Sequence, residues 1–223
     1  MKIKVCGMRE PANIAQVATL DIDFLGLIFY PKSSRYVSPA ADAAAITKAA
    51  RQICADKQLK PIRLVGVFVD ETPQTIISLA HEYELDCIQL HGDEAPEAIK
   101  SLKQTLTATV SPDLKIIKAL SIRSADDIKK WKLYDGVADM LLFDTQCSTY
   151  GGSGEQFDWT ILQQYDGNIP FLLSGGIGPD DADNLLAFSH PQCIGIDLNS
   201  RFETAPALKD TQRLTTFINK IKP

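Results

Sequence analysis

Short apolar runs alternate with longer amphipathic stretches eight times along the chain. The runs are Ile3 to Cys6, Ile22 to Phe29, Ile62 to Val69, Leu85 to Leu90, Leu114 to Leu120, Ala138 to Phe143, Phe171 to Leu173 and Cys193 to Leu198. Their shortness, and the Gly, Pro and polar residues that bound them, predict buried strands. Helix signals fill the gaps. Pro11 stands near the first position of a helix to Leu20, Ser38-Pro39 opens an alanine-rich helix to about Ile53, and Thr72-Pro73 caps one through about Tyr83. Asp93 to Gln104 follows as a helix, and Ser124 with Asp127 forms a capping box for one to about Tyr134. Asp158 caps a short helix, Pro179 starts another, and Pro206 to Ile221 closes the chain. Near-continuous apolar strands alternating with helices require a parallel sheet covered on both faces. Eight such units predict one (β/α)8 barrel over residues 1–223, shorter than the ~250 residues typical of that fold. A doubly wound open sheet is the rival, weakened because no Gly-x-Gly-x-x-Gly follows the first strand.

In such a barrel the site lies at the C-terminal strand ends. Alternation along the first strand points Lys4 and Cys6 into the interior and Ile3 and Val5 toward the helices. The other strand ends present Arg35, His91, Asp144 and Asp197. After strand seven comes Ser174-Gly175-Gly176-Ile177-Gly178-Pro179, and after strand eight Asn199-Ser200. Two successive loops able to donate backbone N–H groups, late in the chain, are where this fold holds a phosphate. The stretch Thr145 to Gln156, with Gly151, Gly152 and Gly154, is long enough to act as a lid.

Charge and cysteine content narrow the function. A net charge of −5 with scattered lysines offers no surface for nucleic acid. Nothing approaches the ~18 apolar residues of a membrane span, and the start shows no apolar leader, so the expected location is the cytoplasm. Five cysteines, Cys6, Cys54, Cys87, Cys147 and Cys193, contain no Cys-x-x-Cys pair, against both a disulfide framework and structural zinc. There is no Gly-x-Ser-x-Gly elbow and no His-Glu-x-x-His, and three scattered histidines argue against a metal cluster. An acid, a possible base, an arginine for a carboxylate and a phosphate cradle best fit cofactor-free proton transfer on a sugar phosphate.

Six motifs at successive strand ends carry a resemblance. Lys4-Val5-Cys6-Gly7-Met8, Ser34-Arg35-Tyr36-Val37, Gln89-Leu90-His91-Gly92, Phe143-Asp144, Ser174-Gly175-Gly176 and Gly195-Ile196-Asp197 together resemble the phosphoribosylanthranilate isomerases of tryptophan biosynthesis, from Lys4 to about Glu203. The resemblance implies a cofactor-free barrel, monomeric or homodimeric, with a small-molecule substrate. It would convert N-(5-phosphoribosyl)anthranilate to 1-(2-carboxyphenylamino)-1-deoxyribulose 5-phosphate by an Amadori rearrangement. By motif, Cys6 would be the general base, Asp144 the general acid and Arg35 the partner of the anthranilate carboxylate. His91 and Asp197 would be substrate contacts, and Gly154, Gly175, Gly176, Asn199 and Ser200 the phosphate cradle. The chain departs from the family in having Asn199-Ser200-Arg201-Phe202 where small residues and glycine are frequent.

Cys6 acts as a base only as thiolate. At an unperturbed pKa of ~8.5, roughly 3% is ionised at pH 7, a handicap of about 2 kcal/mol that a neighbouring Lys4 would reduce. Lys118 on the fifth strand opens a second class, Schiff-base aldolase chemistry, against an ion pair as the plainer account. A catalytically silent sugar-phosphate sensor is a third, and indole-glycerol-phosphate synthase and ribulose-phosphate epimerase are sibling barrels; the epimerase would need histidine metal ligands.

Overall fold

The computed structural model describes residues 1–38, 41–145 and 159–222. Eight strands form a closed barrel in chain order, every adjacent pair parallel: β1 (Lys2–Met8), β2 (Phe24–Ile28), β3 (Arg63–Phe68), β4 (Cys87–Leu90), β5 (Lys115–Ile122), β6 (Met140–Thr145), β7 (Phe171–Ser174) and β8 (Cys193–Leu198). The barrel shuts where β1 pairs with β8, with Lys4 opposite Asp197. The helices are α1 (Pro11–Val17), α2 (Ala43–Asp56), α3 (Pro73–Glu82), α4 (Pro96–Thr109), α5 (Ala125–Ile128), α6 (Ala182–Ala187) and α7 (Thr211–Ile221). No helix among the described residues is long and apolar enough to cross a membrane.

Two apolar layers follow from strand alternation. Inside the barrel Phe24, Val65, Cys87, Ile117, Ala119, Met140, Leu142 and Leu172 pack together. Outside it, Ile3, Val5, Leu64, Ile88, Leu141, Phe143 and Phe171 meet the helices. Lys4 and Cys6 are on the inner side of β1, as alternation predicts: a Cβ added to Gly26 on neighbouring β2 would lie 2.8 Å from Cys6 Sγ and 3.2 Å from Lys4 Nζ. Only a glycine leaves room there for both groups.

Several boundaries differ from the sequence expectations. α2 begins at Ala43 under Asp42, whose carboxylate accepts the Ala45 N–H at 2.9 Å, so Ser38 is not its cap. The Thr72 cap and the Ser124–Asp127 capping box both form, but behind the latter the helix tightens into a 3₁₀ turn over Lys129–Tyr134. The stretch after β7 also starts as a 3₁₀ turn, Pro179–Asp181, before α6. The largest correction lies near the end of the chain. Residues 206–210 do not begin the last helix; β9 (Glu203–Ala205) and β10 (Leu208–Lys209) form a hairpin, and α7 starts later under Asp210. Asn13 of α1 pins this hairpin, donating to Lys209 O at 2.9 Å and accepting from Lys209 N at 2.8 Å.

Lys118 is corrected as well. Its neighbours Ile117 and Ala119 occupy the interior, so Lys118 points outward. Its Nζ is fully engaged with Glu94 at 3.0 Å and with the carbonyls of Gly92 at 2.7 Å and Leu90 at 3.3 Å. That removes the Schiff-base reading and leaves a buried ion pair that fixes the loop after β4.

Phe171 anchors the β6–β7 seam, its ring 4.8 Å from Phe143 and 5.5 Å from Tyr165 between centroids. Phe171→Ala should cost about 3–5 kcal/mol in denaturant unfolding; a loss under about 1 kcal/mol would mean that this seam carries little of the core.

Candidate active site

Three groups of side chains meet at the C-terminal mouth. The first lies at the β1–β8 closure. Lys4 Nζ donates to Asp197 Oδ1 at 2.9 Å, both side chains are buried, and Ser174 Oγ on β7 reaches Asp197 Oδ2 at 3.4 Å. Cys6 sits one alternation above Lys4 and is 3% exposed. The pairing of β1 with β2 is irregular between Val5 and Met8, and Gly7 has φ of +75°, so Cys6 and Gly7 form a bulge that glycine makes accessible. Burial pushes the Cys6 thiol up from its ordinary value, and the Lys4 ammonium opposes that shift. Burial likewise disfavours charge on Lys4, but Asp197, and then Cys6, outweigh it and hold the ammonium firmly protonated. The cation beside the thiol is therefore permanent near neutral pH.

The second group is a clamp on Arg35. Its Nε and Nη2 hold both oxygens of Glu203, at 2.9 Å to Oε1 and 2.6 Å to Oε2. Lys209 binds the same carboxylate and donates to Asn199 Oδ1 at 3.0 Å. Burial disfavours the Glu203 anion, yet the two cations outweigh it and hold its carboxyl below the usual range. A Cβ on Gly7 would come within 2.5 Å of Arg35 Cδ and 2.7 Å of Asn199 Oδ1, so this clamp lies directly against the Cys6–Gly7 bulge.

Across the mouth, Asp144 on β6 faces His91 after β4, with Oδ2 and Nε2 3.4 Å apart. Asp144 is 19% and His91 30% exposed, so both reach solvent where a ligand would enter. Between these groups lies the turn after β7. Gly175 and Gly176 have φ of +103° and +69°, and a Cβ on Gly175 would come within 1.9 Å of Thr145 O. The Gly178 N–H is taken by Asp181 at 2.6 Å, and the Arg201 guanidinium lies over Gly178.

Cys6, Arg35, His91, Asp144 and Asp197 thus converge on one mouth, with Gly175 and Gly176 at its rim. Asn199 turns its side chain to Lys209, while Ser200, itself exposed, opens a 3₁₀ turn that buries Phe202. Gly154 and the expected lid from 146 onward lie outside the described residues, as do Cys147 and Asp158. Sequence reasoning missed Glu203 and Lys209. Their only signal was their charge, since the hairpin that brings them to Arg35 reads as helix start.

Comparison with known proteins covers nearly the whole chain. The family described as N-(5'phosphoribosyl)anthranilate (PRA) isomerase matches residues 3–220. The N-(5'-phosphoribosyl)anthranilate isomerase of Parabacteroides distasonis is 45% identical over 221 residues, 99% of this chain and 93% of that protein. That of Phocaeicola vulgatus is 46% identical, over 100% of this chain and 98% of that protein. A crystal structure of phosphoribosyl anthranilate isomerase in complex with reduced 1-(o-carboxyphenylamino)-1-deoxyribulose 5-phosphate superposes with a TM-score of 0.79 at 28% identity. It covers 100% of this chain and 98% of that one. The chain belongs to the family of N-(5'-phosphoribosyl)anthranilate isomerases.

Proposed function

We propose that Cys6 and Asp144 are the base and acid of the Amadori rearrangement. The chain is an isomerase of tryptophan biosynthesis, turning N-(5'-phosphoribosyl)anthranilate into 1-(2-carboxyphenylamino)-1-deoxyribulose 5-phosphate. The observation that carries the assignment of roles is the buried Lys4 ammonium beneath Cys6, facing a carboxyl at the opposite side of the mouth.

The reaction begins when Asp144 gives its proton to the ribose ring oxygen. The C1–O bond breaks as the anilino nitrogen forms a C1=N bond, leaving an open-chain iminium. The iminium acidifies the C2 hydrogen, which the Cys6 thiolate removes to give the enolamine. The Cys6 thiol then returns its proton to C1 and the Asp144 carboxylate takes the C2 hydroxyl proton, which completes the ketose and restores both groups with no net gain or loss of protons. Lys4 favours the thiolate electrostatically, and Asp197 keeps Lys4 in place. His91 holds the Asp144 carboxyl in its orientation from 3.4 Å.

Binding divides along the mouth. Arg35, already held flat by Glu203, offers its remaining N–H groups to the anthranilate carboxylate. The backbone N–H groups of Gly175 and Gly176, with Ser200 and the Arg201 guanidinium, receive the phosphate. Asp197 is available to a ribose hydroxyl through the oxygen that Ser174 contacts weakly. A diffusible biosynthetic substrate and a site built from one chain fit a cytoplasmic monomer or homodimer.

Isomerisation of freshly generated substrate, followed by loss of its anthranilate-like fluorescence, tests the reading. The intact protein should turn over, and Cys6→Ala and Asp144→Asn should each lower kcat by about 10²–10⁴ while still melting as folded proteins. Turnover by Cys6→Ala near that of the intact protein would remove Cys6 as the base. Arg35→Met should raise KM about 10- to 100-fold with a smaller change in kcat, the value of hydrogen bonds to a charged group. An unchanged KM would put the carboxylate elsewhere.

A further inference from the structure

Gln89 on β4 is buried, 2% exposed, and among the described residues its Oε1 has no hydrogen-bond partner. Cys87, two residues earlier, packs in the barrel interior, and strand alternation directs Gln89 to the same side. Its register neighbours are Val67 on β3 and Ile117 on β5, which offer no polar side-chain atom. The same alternation carried one step further reaches His91, which meets Asp144. In the closed strand order β4 stands across the barrel from β8, so the carboxamide faces the side that bears Asp197 and Lys4.

An orphaned buried carbonyl oxygen is costly, because it has given up water without gaining a protein donor. Such groups are rare enough in folded proteins to need a reason. Strand alternation puts Gln89 one step below His91 on the inner face of β4, and a substrate bound at the mouth brings hydroxyl and N–H donors toward that face. We infer that Gln89 is a further substrate-contacting residue, whose Oε1 accepts a hydrogen bond from a hydroxyl or N–H of the bound aminosugar. The inference rests on the isomerase reading and deepens it. The empty protein bears the desolvation of the carboxamide, and the bound substrate relieves it, so the contact favours binding more than an equivalent exposed one.

The test uses Gln89→Met and Gln89→Leu, which fill the same space without a carbonyl oxygen. Melting temperature, kcat, KM and affinity for the reduced product analogue 1-(o-carboxyphenylamino)-1-deoxyribulose 5-phosphate are measured in each. Both variants should melt at or above the temperature of the intact protein. Both should lose at least about tenfold in analogue affinity and in kcat/KM, the worth of one well-made hydrogen bond. A purely structural carboxamide gives the opposite pattern, a lower melting temperature with affinity per folded molecule retained, and overturns the inference. So does a folded variant with unchanged affinity and kcat/KM. If the intact protein neither turns over nor binds the analogue, the isomerase reading itself fails and takes this inference with it; if it does both and the variants match it, only the role of Gln89 is lost.

Discussion

A charged pair inside the barrel, Lys4 with Asp197, is the constraint to which the mouth is built. It forms where β1 meets β8 and the sheet closes, so the residues that complete the fold also place a cation beneath Cys6. Two charges buried together gain little net stability over apolar residues of the same size, yet removing one partner costs about 3–5 kcal/mol. A pair of that kind earns its place through what its charge does next to a thiol that burial holds protonated. Gly26 is part of the same arrangement, since any side chain there would collide with Cys6 Sγ.

The clamp on Arg35 repeats the logic at the rim. A guanidinium proposed to receive the anthranilate carboxylate is better held than free, and Glu203 holds it through two parallel hydrogen bonds. Lys209 adds a second cation to the Glu203 carboxylate, and Asn13 of α1 fixes the backbone of Lys209 through its N–H and its carbonyl. The hairpin after β8 therefore acts as a brace between the first helix and the strand-end arginine. Around the rest of the mouth, Glu94 and Lys118 tie the loop after β4 from outside the barrel, leaving His91 free to face Asp144.

Much of this was legible in the residues. Eight apolar runs gave the strand order, because a strand buried on both faces has few sequences other than an apolar one. The inward direction of Lys4 and Cys6 was legible too, because two polar or reactive residues alternate there with Ile3 and Val5. The same reasoning failed on β5, where Ile116-Ile117-Lys118-Ala119-Leu120 is apolar on both sides of Lys118 and alternation alone does not say which face is inner. The hairpin 203–209 was missed because its cause is distant in sequence: Asn13, Arg35 and Asn199 hold it, and Pro206 taken locally suggests a helix start. The cap of α2 shifted for a simpler reason, since Ser38 and Asp42 are both good caps and only packing chooses between them.

The central claim is that the buried ammonium makes Cys6 usable as a base. It is tested most directly by titrating the Cys6 thiol through its ultraviolet thiolate absorbance, each protein measured against its own Cys6→Ser counterpart. The intact protein is compared with Lys4→Met/Asp197→Leu, which removes both charges and so leaves no buried ion unpaired. Lys4 lowers the Cys6 pKa more than Asp197 raises it, so loss of the pair should move thiolate formation to higher pH than in the intact protein. A midpoint that stays put or falls in the double variant would contradict the account.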